Sequence, residues 1–261
     1  GDTPEAPGMA GNPTLFHRSV ARTASVNDQS GDRMNSLSPV QHASTQTDTV
    51  LQYDINRSSS DHDGGTVAVL LHGRGSHRGD LQALRPALPD DWVLVTPQAP
   101  YPGHPWGYGP GWAWYRYVEE DRVMEDTLAQ SLASLDAFLL EIPKIVGFQP
   151  GRVVLGGFSQ GGTMSMSYAL TRPGKIAAAI NFSGFVPASL EVPFSALSPG
   201  TAPIFWGHGL RDPSIPHELA IRGRERLQAA GVQFAAEDYP IGHWIVPEEV
   251  QAAIDYVESL D

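Results

Sequence analysis

Gly157-Phe158-Ser159-Gln160-Gly161 follows the apolar run Val153-Val154-Leu155, with Gly156 between them. A strand that turns sharply into a helix, with glycines where a Cβ would clash, holds one serine exposed on a strained elbow above a sheet. A hydroxyl placed there becomes a nucleophile when an imidazole accepts its proton during attack and returns it to the leaving group. A carboxylate must then hold that imidazole in one tautomer and stabilise the imidazolium that forms. The pattern also arises by chance in a glycine-rich chain, where a serine before a helix can be simply an N-cap. Its partners therefore have to be found elsewhere in the chain.

Two later segments answer it, in the order Ser, Asp, His that an elbow serine takes. The apolar run Pro203-Ile204-Phe205-Trp206 ends in Gly207-His208-Gly209-Leu210-Arg211-Asp212-Pro213, and the strand-like run 232–236 leads through Asp238-Tyr239-Pro240-Ile241-Gly242 to His243-Trp244. Asp212 and His243 each fall just past the carboxyl end of a strand, the edge where open α/β sheets build their sites. Asp212 before Pro213 also reads as a plain turn, and Asp238 is the rival acid by its closeness to His243. Among the competing histidines, His72 lies on a glycine-rich loop, His208 inside the glycine turn ahead of Asp212, and His217 where a helix should begin after Pro216. Only His243 follows the last strand. The catalytic set is read as Ser159, Asp212 and His243.

The tetrahedral oxyanion needs preorganised donors. One is the backbone N–H of the residue after the nucleophile, Gln160, and the other comes from the loop after an earlier strand. Val67-Ala68-Val69-Leu70-Leu71 followed by His72-Gly73-Arg74-Gly75-Ser76 supplies that loop, and the second donor is assigned to the Arg74 backbone. The Arg74 side chain is not required for it.

At these residues the chain resembles the phospholipase/carboxylesterase family of α/β-hydrolases, which includes acyl-protein thioesterases and small bacterial carboxylesterases. The resemblance runs from about Val67 to the end, through Leu71-His72-Gly73-Arg74-Gly75, Thr96-Pro97-Gln98-Ala99-Pro100, the Ser159 elbow with Gly162, the Asp212 segment, and Gly242-His243. It implies an α/β-hydrolase fold and a serine carboxylesterase that acts through an acyl-enzyme on short-to-medium acyl or aromatic esters. The partner is a small-molecule ester, and no cofactor or metal is called for. Longer-chain thioesterase or lysophospholipase activity is the alternative among enzymes, and a catalytically silent binding scaffold the alternative outside them. Where relatives often carry a tryptophan-aromatic-aspartate segment, this chain has Gly111-Trp112-Ala113-Trp114-Tyr115-Arg116.

The stretch 101–117 interleaves Trp106, Tyr108, Trp112, Trp114, Tyr115 and Tyr117 with glycines and prolines, too many for a regular helix. Loops over the carboxyl edge of a sheet carry function more often than core elements do. Trp112, Trp114 and Tyr115, with Phe158, Phe185 and Trp244 beside the catalytic segments, are expected to wall a substrate pocket. The competing reading is that the rings merely pack the loop down.

Apolar runs beginning at Val67, Trp92, Val153, Ala177 and Pro203 read as strands buried on both faces. Alternation through Val50-Leu51-Gln52-Tyr53-Asp54-Ile55 reads as a solvated edge strand. Val123, Met124, Leu128, Leu132, Leu135 and Leu139, and later Val250, Ile254 and Val257, recur at helical spacing. Strands alternating with helices predict a mainly parallel sheet with helices on both faces.

Residues 1–47 are polar and aperiodic, and are set apart as an extension to a catalytic domain over 48–261, with Leu15-Phe16 as a segment that docks if any does. Residues 1–47 show no positive start, apolar centre and small-residue cleavage site, giving the expectation of a cytoplasmic protein, with Met34 a candidate start. The 261 residues contain no cysteine, which excludes disulfides and thiolate chemistry, and a net charge of -12 argues against nucleic acid. No apolar run approaches a membrane span. Metalloprotease and phosphate-loop motifs are absent. Both a monomer and a homodimer remain open.

Overall fold

The structure is a computed structural model that describes residues 41–43, 51–57, 63–190 and 200–260. In chain order the strands begin with β1 (Gln41–Ala43), β2 (Tyr53–Asn56), β3 (Thr66–Leu71) and β4 (Val93–Pro97). Two small hairpins follow: β5 (Tyr101–Pro102) pairs with β6 (Trp112–Ala113), and β7 (Tyr117–Glu119) with β8 (Arg122–Val123). The remaining strands are β9 (Arg152–Phe158), β10 (Ala178–Phe182), β11 (Ile204–Gly209) and β12 (Phe234–Tyr239). The helices are α1 (Glu125–Leu140), α2 (Ile142–Val146), α3 (Gln160–Thr171), α4 (His217–Ala229) and α5 (Pro247–Glu258), with 3-10 segments at Asp80–Ala87 and His104–Trp106.

The main sheet runs β1-β2-β4-β3-β9-β10-β11-β12. The first two strands are antiparallel to their neighbours and the rest are parallel. Because side chains alternate across a strand, an all-apolar run feeds two cores at once. In β3, Val67, Val69 and Leu71 face a layer with Leu128, Leu132 and Leu135 of α1, Met164 and Tyr168 of α3, and Leu219 and Leu227 of α4. Ala68 and Leu70 face the opposite layer with Leu81 and Leu84 of the first 3-10 segment and Val250, Ile254 and Val257 of α5.

Every run read as a doubly buried strand contains one: β3, β4, β9, β10 and β11. The alternating run at 50–55 is different. Tyr53–Asn56 pairs with β4, but β1 covers its other side, so β2 is not the sheet edge, and Tyr53, Asp54 and Ile55 are buried. The covering strand, Gln41–Ala43, lies inside the stretch 1–47 set apart as an extension. Leu15-Phe16 and Met34 lie outside the described residues. Pro247 is the first residue of α5, and α4 begins at His217 directly after Pro216, as expected there. Among the described residues no helix is long and apolar enough to cross a membrane.

Candidate active site

Ser159 sits between β9 and α3 at φ 54 and ψ -115, a conformation that side-chain-bearing residues rarely adopt. Such strain costs on the order of 1–3 kcal/mol and persists only where the surroundings over-determine it. Here the Ser159 N–H donates to the Phe182 carbonyl at 2.8 Å, while the Ser159 carbonyl accepts the Thr163 N–H at 3.0 Å. A Cβ on Gly161 would lie 1.9 Å from the Leu71 carbonyl oxygen, so α3 can start this close to β3 only with glycine there. The turn is sharp enough to leave the Ser159 side chain part-exposed, while its neighbours Phe158 and Gln160 are buried.

His243 Nδ1 lies 2.6 Å from Asp212 Oδ2, and His243 Nε2 lies 3.0 Å from Ser159 Oγ. A carboxylate only accepts, so Nδ1 carries the imidazole proton and the Nε2 lone pair faces the serine hydroxyl. The other carboxylate oxygen, Asp212 Oδ1, accepts the backbone N–H groups of Ser214 and Ile215, both at 2.8 Å. The Asp-Pro turn and the candidate acid are thus one structure: the turn fixes one oxygen and aims the other. The loops that carry the acid and the base are joined by backbone bonds, Leu210 N–H to the Tyr239 carbonyl at 2.8 Å and Arg211 N–H to the Ile241 carbonyl at 3.0 Å. They approach so closely that a Cβ on Gly209 would fall 2.2 Å from the Gly242 carbonyl oxygen. The Phe158 ring packs on the His243 imidazole with centroids 4.7 Å apart.

The competing residues are engaged elsewhere. Asp238 pairs with His217 at 2.9 Å and with Arg224 at 2.9 Å, both on α4. His208 is buried behind the acid, with Nε2 2.8 Å from the Ile215 carbonyl and 3.8 Å from Asp212 Oδ2, and burial lowers its pKa. His72 is buried too, and desolvation lowers its pKa to about 4. Its Nε2 accepts the Ala99 N–H at 3.1 Å, which leaves Nδ1 protonated to donate to the Gly73 carbonyl at 2.7 Å. A neutral imidazole therefore braces the Gly73–Ser76 turn.

That turn lies against Ser159, since a Cβ on Gly73 would stand 3.6 Å from Ser159 Cβ. It is stitched to the aromatic loop by Gly75 N–H to the Trp112 carbonyl and Trp112 N–H to the Ser76 carbonyl, each 2.8 Å. Gln160, as the first residue of α3, has a backbone N–H with no intrahelical acceptor. The six residues expected to wall a pocket divide. Trp114 and Tyr115 have no exposed surface: the Trp114 indole N–H donates to the His72 carbonyl at 2.9 Å, and the Tyr115 ring packs edge-on against Phe185. Their rings hold the loop down and present no surface to solvent. Phe158 and Phe185 are also buried, while Trp112 and Trp244 remain half-exposed.

Residues 55–260 match the sequence model of one family, described as phospholipase/carboxylesterase. The chain belongs to the phospholipase/carboxylesterase family. It is similar to an acyl-protein thioesterase 1 of Cryptococcus neoformans, 30% identical over 212 residues that cover 71% of this chain and 88% of the relative. It is also similar to acyl-protein thioesterase 1 of Saccharomyces cerevisiae, 31% identical over 157 residues, or 56% of this chain and 68% of that one. The crystal structure of a carboxylesterase from Mesorhizobium loti superposes with a TM-score of 0.71 at 19% identity, covering 84% of this chain and 98% of the other. At that identity the likeness speaks for the fold, which is that of the α/β-hydrolases.

Two features of this phospholipase/carboxylesterase family member escaped the sequence reading. The Gln160 side chain is buried and clamps the aromatic loop: Oε1 accepts the Trp114 N–H at 3.0 Å and Nε2 donates to the Tyr115 carbonyl at 2.8 Å. Only its position inside the elbow motif hinted at it, and that position had been read for its backbone alone. The second is Glu249, in the first turn of α5, fully buried with both carboxyl oxygens lacking a hydrogen-bond partner among the described residues. Burial, reinforced by the charges of Asp212 and Glu237, pushes its pKa up to about 8.

A carboxyl held protonated in the folded state, but free to ionise when unfolded, costs stability as pH rises from the ordinary carboxylate range to about 8. Below that window both states are protonated and nothing is lost; above it both are ionised and the loss is complete. Glu249→Gln is therefore expected to melt roughly 3–6 °C above the unmodified protein at pH 8.5, with the gap closing toward pH 4.5. Thermal melts across that range check it, and a gap that widens on acidification would refute it.

Proposed function

We propose that this chain is a serine carboxylesterase, hydrolysing short-to-medium acyl or aromatic carboxylic esters through an acyl-enzyme. The observation that carries this reading is the unbroken hydrogen-bonded line from Asp212 through His243 to Ser159. As Ser159 Oγ attacks the ester carbonyl, its proton passes to His243 Nε2, and the imidazolium is stabilised by Asp212. The backbone N–H groups of Arg74 and Gln160 hold the oxyanion, each such donor being worth about 10²–10³ in kcat. The proton goes to the departing alkoxide. Water then gives its own proton to His243 and adds to the acyl carbon, and Ser159 Oγ is reprotonated as the acid leaves.

The fungal relatives named acyl-protein thioesterase support a second reading, hydrolysis of acyl thioesters with longer chains, in which the same groups serve and a thiolate departs. A p-nitrophenyl ester series run beside an acyl thioester and a lysophospholipid separates the two. Each further methylene contributes about 0.8 kcal/mol only where there is room to bury it. Trp112, bonded to the oxyanion turn and half-exposed, limits that room. kcat/KM is expected to peak at or below roughly eight carbons and to fall beyond, at no more than about 1–3 kcal/mol per methylene. Trp112→Ala should move the peak to longer chains. A steady rise to palmitoyl, with the thioester favoured over the oxygen ester, would install the second reading instead.

A further inference from the structure

Arg74 enters the site through its backbone, but its side chain does something separate. It is exposed, and its guanidinium lies over the faces of two rings, with Cζ 4.8 Å from the Tyr108 centroid and 5.9 Å from that of Tyr117. The rings are tied together, the Tyr108 hydroxyl accepting the Tyr117 N–H at 2.9 Å, and Tyr117 packs edge-on against Phe185. The cation is thereby held against the aromatic loop, one side-chain length from the backbone assigned to the oxyanion. A guanidinium held against aromatic rings keeps its N–H groups, a fork that matches a carboxylate, as donors.

The neighbouring acids do not use that fork. On the β7–β8 hairpin Glu119 pairs with Arg122 at 2.8 Å, Glu120 with Arg222 at 3.2 Å, and Asp121 with Arg222 at 4.0 Å. Among the described residues no carboxylate stands within ion-pair distance of Arg74. A cation without an ion pair, on the turn that touches Ser159, stands out in a chain of net charge -12, whose overall field repels anions.

We propose that the Arg74 guanidinium, held on Tyr108 and Tyr117 and carried by the turn that touches Ser159, binds a carboxylate of the substrate, so that the preferred esters are monoanionic. This rests on the ester-hydrolase reading and adds the substrate class to it.

The test compares kcat/KM within matched pairs. 4-Acetoxybenzoate against its methyl ester places the charge on the leaving group, and monomethyl adipate against dimethyl adipate places it on the acyl group. Each ratio of anionic to neutral substrate is measured in the unmodified protein, in Arg74→Gln and in Arg74→Lys. In at least one pair the ratio is expected to fall about tenfold in Arg74→Gln, to recover in part in Arg74→Lys, and to shrink in the unmodified protein as salt is raised. Any disturbance of the oxyanion donor affects both members of a pair and cancels. Ratios that Arg74→Gln leaves unchanged in both pairs would overturn the proposal while leaving ester hydrolysis standing. Failure of the unmodified protein to cleave any of the four esters, anionic or neutral, would overturn the hydrolase reading, and the substrate class with it.

Discussion

Ser159→Ala is expected to remove ester turnover and fluorophosphonate labelling together. Loss of the nucleophile from a catalytic triad costs about 10⁶ in kcat, because the remaining groups have nothing to activate. Ser159 is the serine whose Oγ meets His243, whereas Ser165, Ser167 and Ser183 are buried, and Ser165 Oγ donates to backbone carbonyls. The strained backbone at Ser159 is set by its surroundings and stays with alanine in place, so the variant should remain folded. Intact-mass analysis after probe treatment, with a melt to show the fold, reads both effects. Labelling at another serine, or turnover that survives the substitution, would end the assignment.

The parts of this molecule legible in its sequence are those in which one residue's type answers to one local demand. Doubly buried strands must be apolar on both faces, so β3, β4, β9, β10 and β11 stand out as unbroken runs. The elbow needs glycine where α3 touches Leu71, and the motif records that need. β2 misled because alternation reports side chains and not neighbours: a strand added outside it leaves its own pattern unchanged. The aromatic loop is ambiguous for a different reason. A tryptophan that walls a pocket and one that seals a loop have the same composition, and what separates Trp114 from Trp112 is a contact to the His72 carbonyl made 42 positions away. Gln160 and Glu249 were illegible in the same sense, since a buried polar side chain is defined by partners, or their lack, that lie far off in the chain.

The choice between Asp212 and Asp238 is where sequence left two answers, and the geometry makes a sharp expectation of it. Asp212 Oδ1 is committed to the Ser214 and Ile215 N–H groups, so in Asp212→Asn the amide oxygen must stay there and the amide nitrogen must face His243. A donor now meets Nδ1, which has to give up its proton and accept. The proton moves to Nε2, the atom that should receive it from Ser159, and the imidazolium loses its counter-charge as well. Changes of this kind lower kcat by about 10⁴ with the fold intact. Asp238→Asn touches only the pairs with His217 and Arg224 on α4, partly exposed contacts of the sort worth about 1 kcal/mol or less. It should keep kcat within a few-fold and shift only the melting temperature slightly. Steady-state kinetics of the two variants on one ester decide the matter: an inactive Asp238→Asn beside an active Asp212→Asn would reverse the assignment, and with it the direction in which His243 is held.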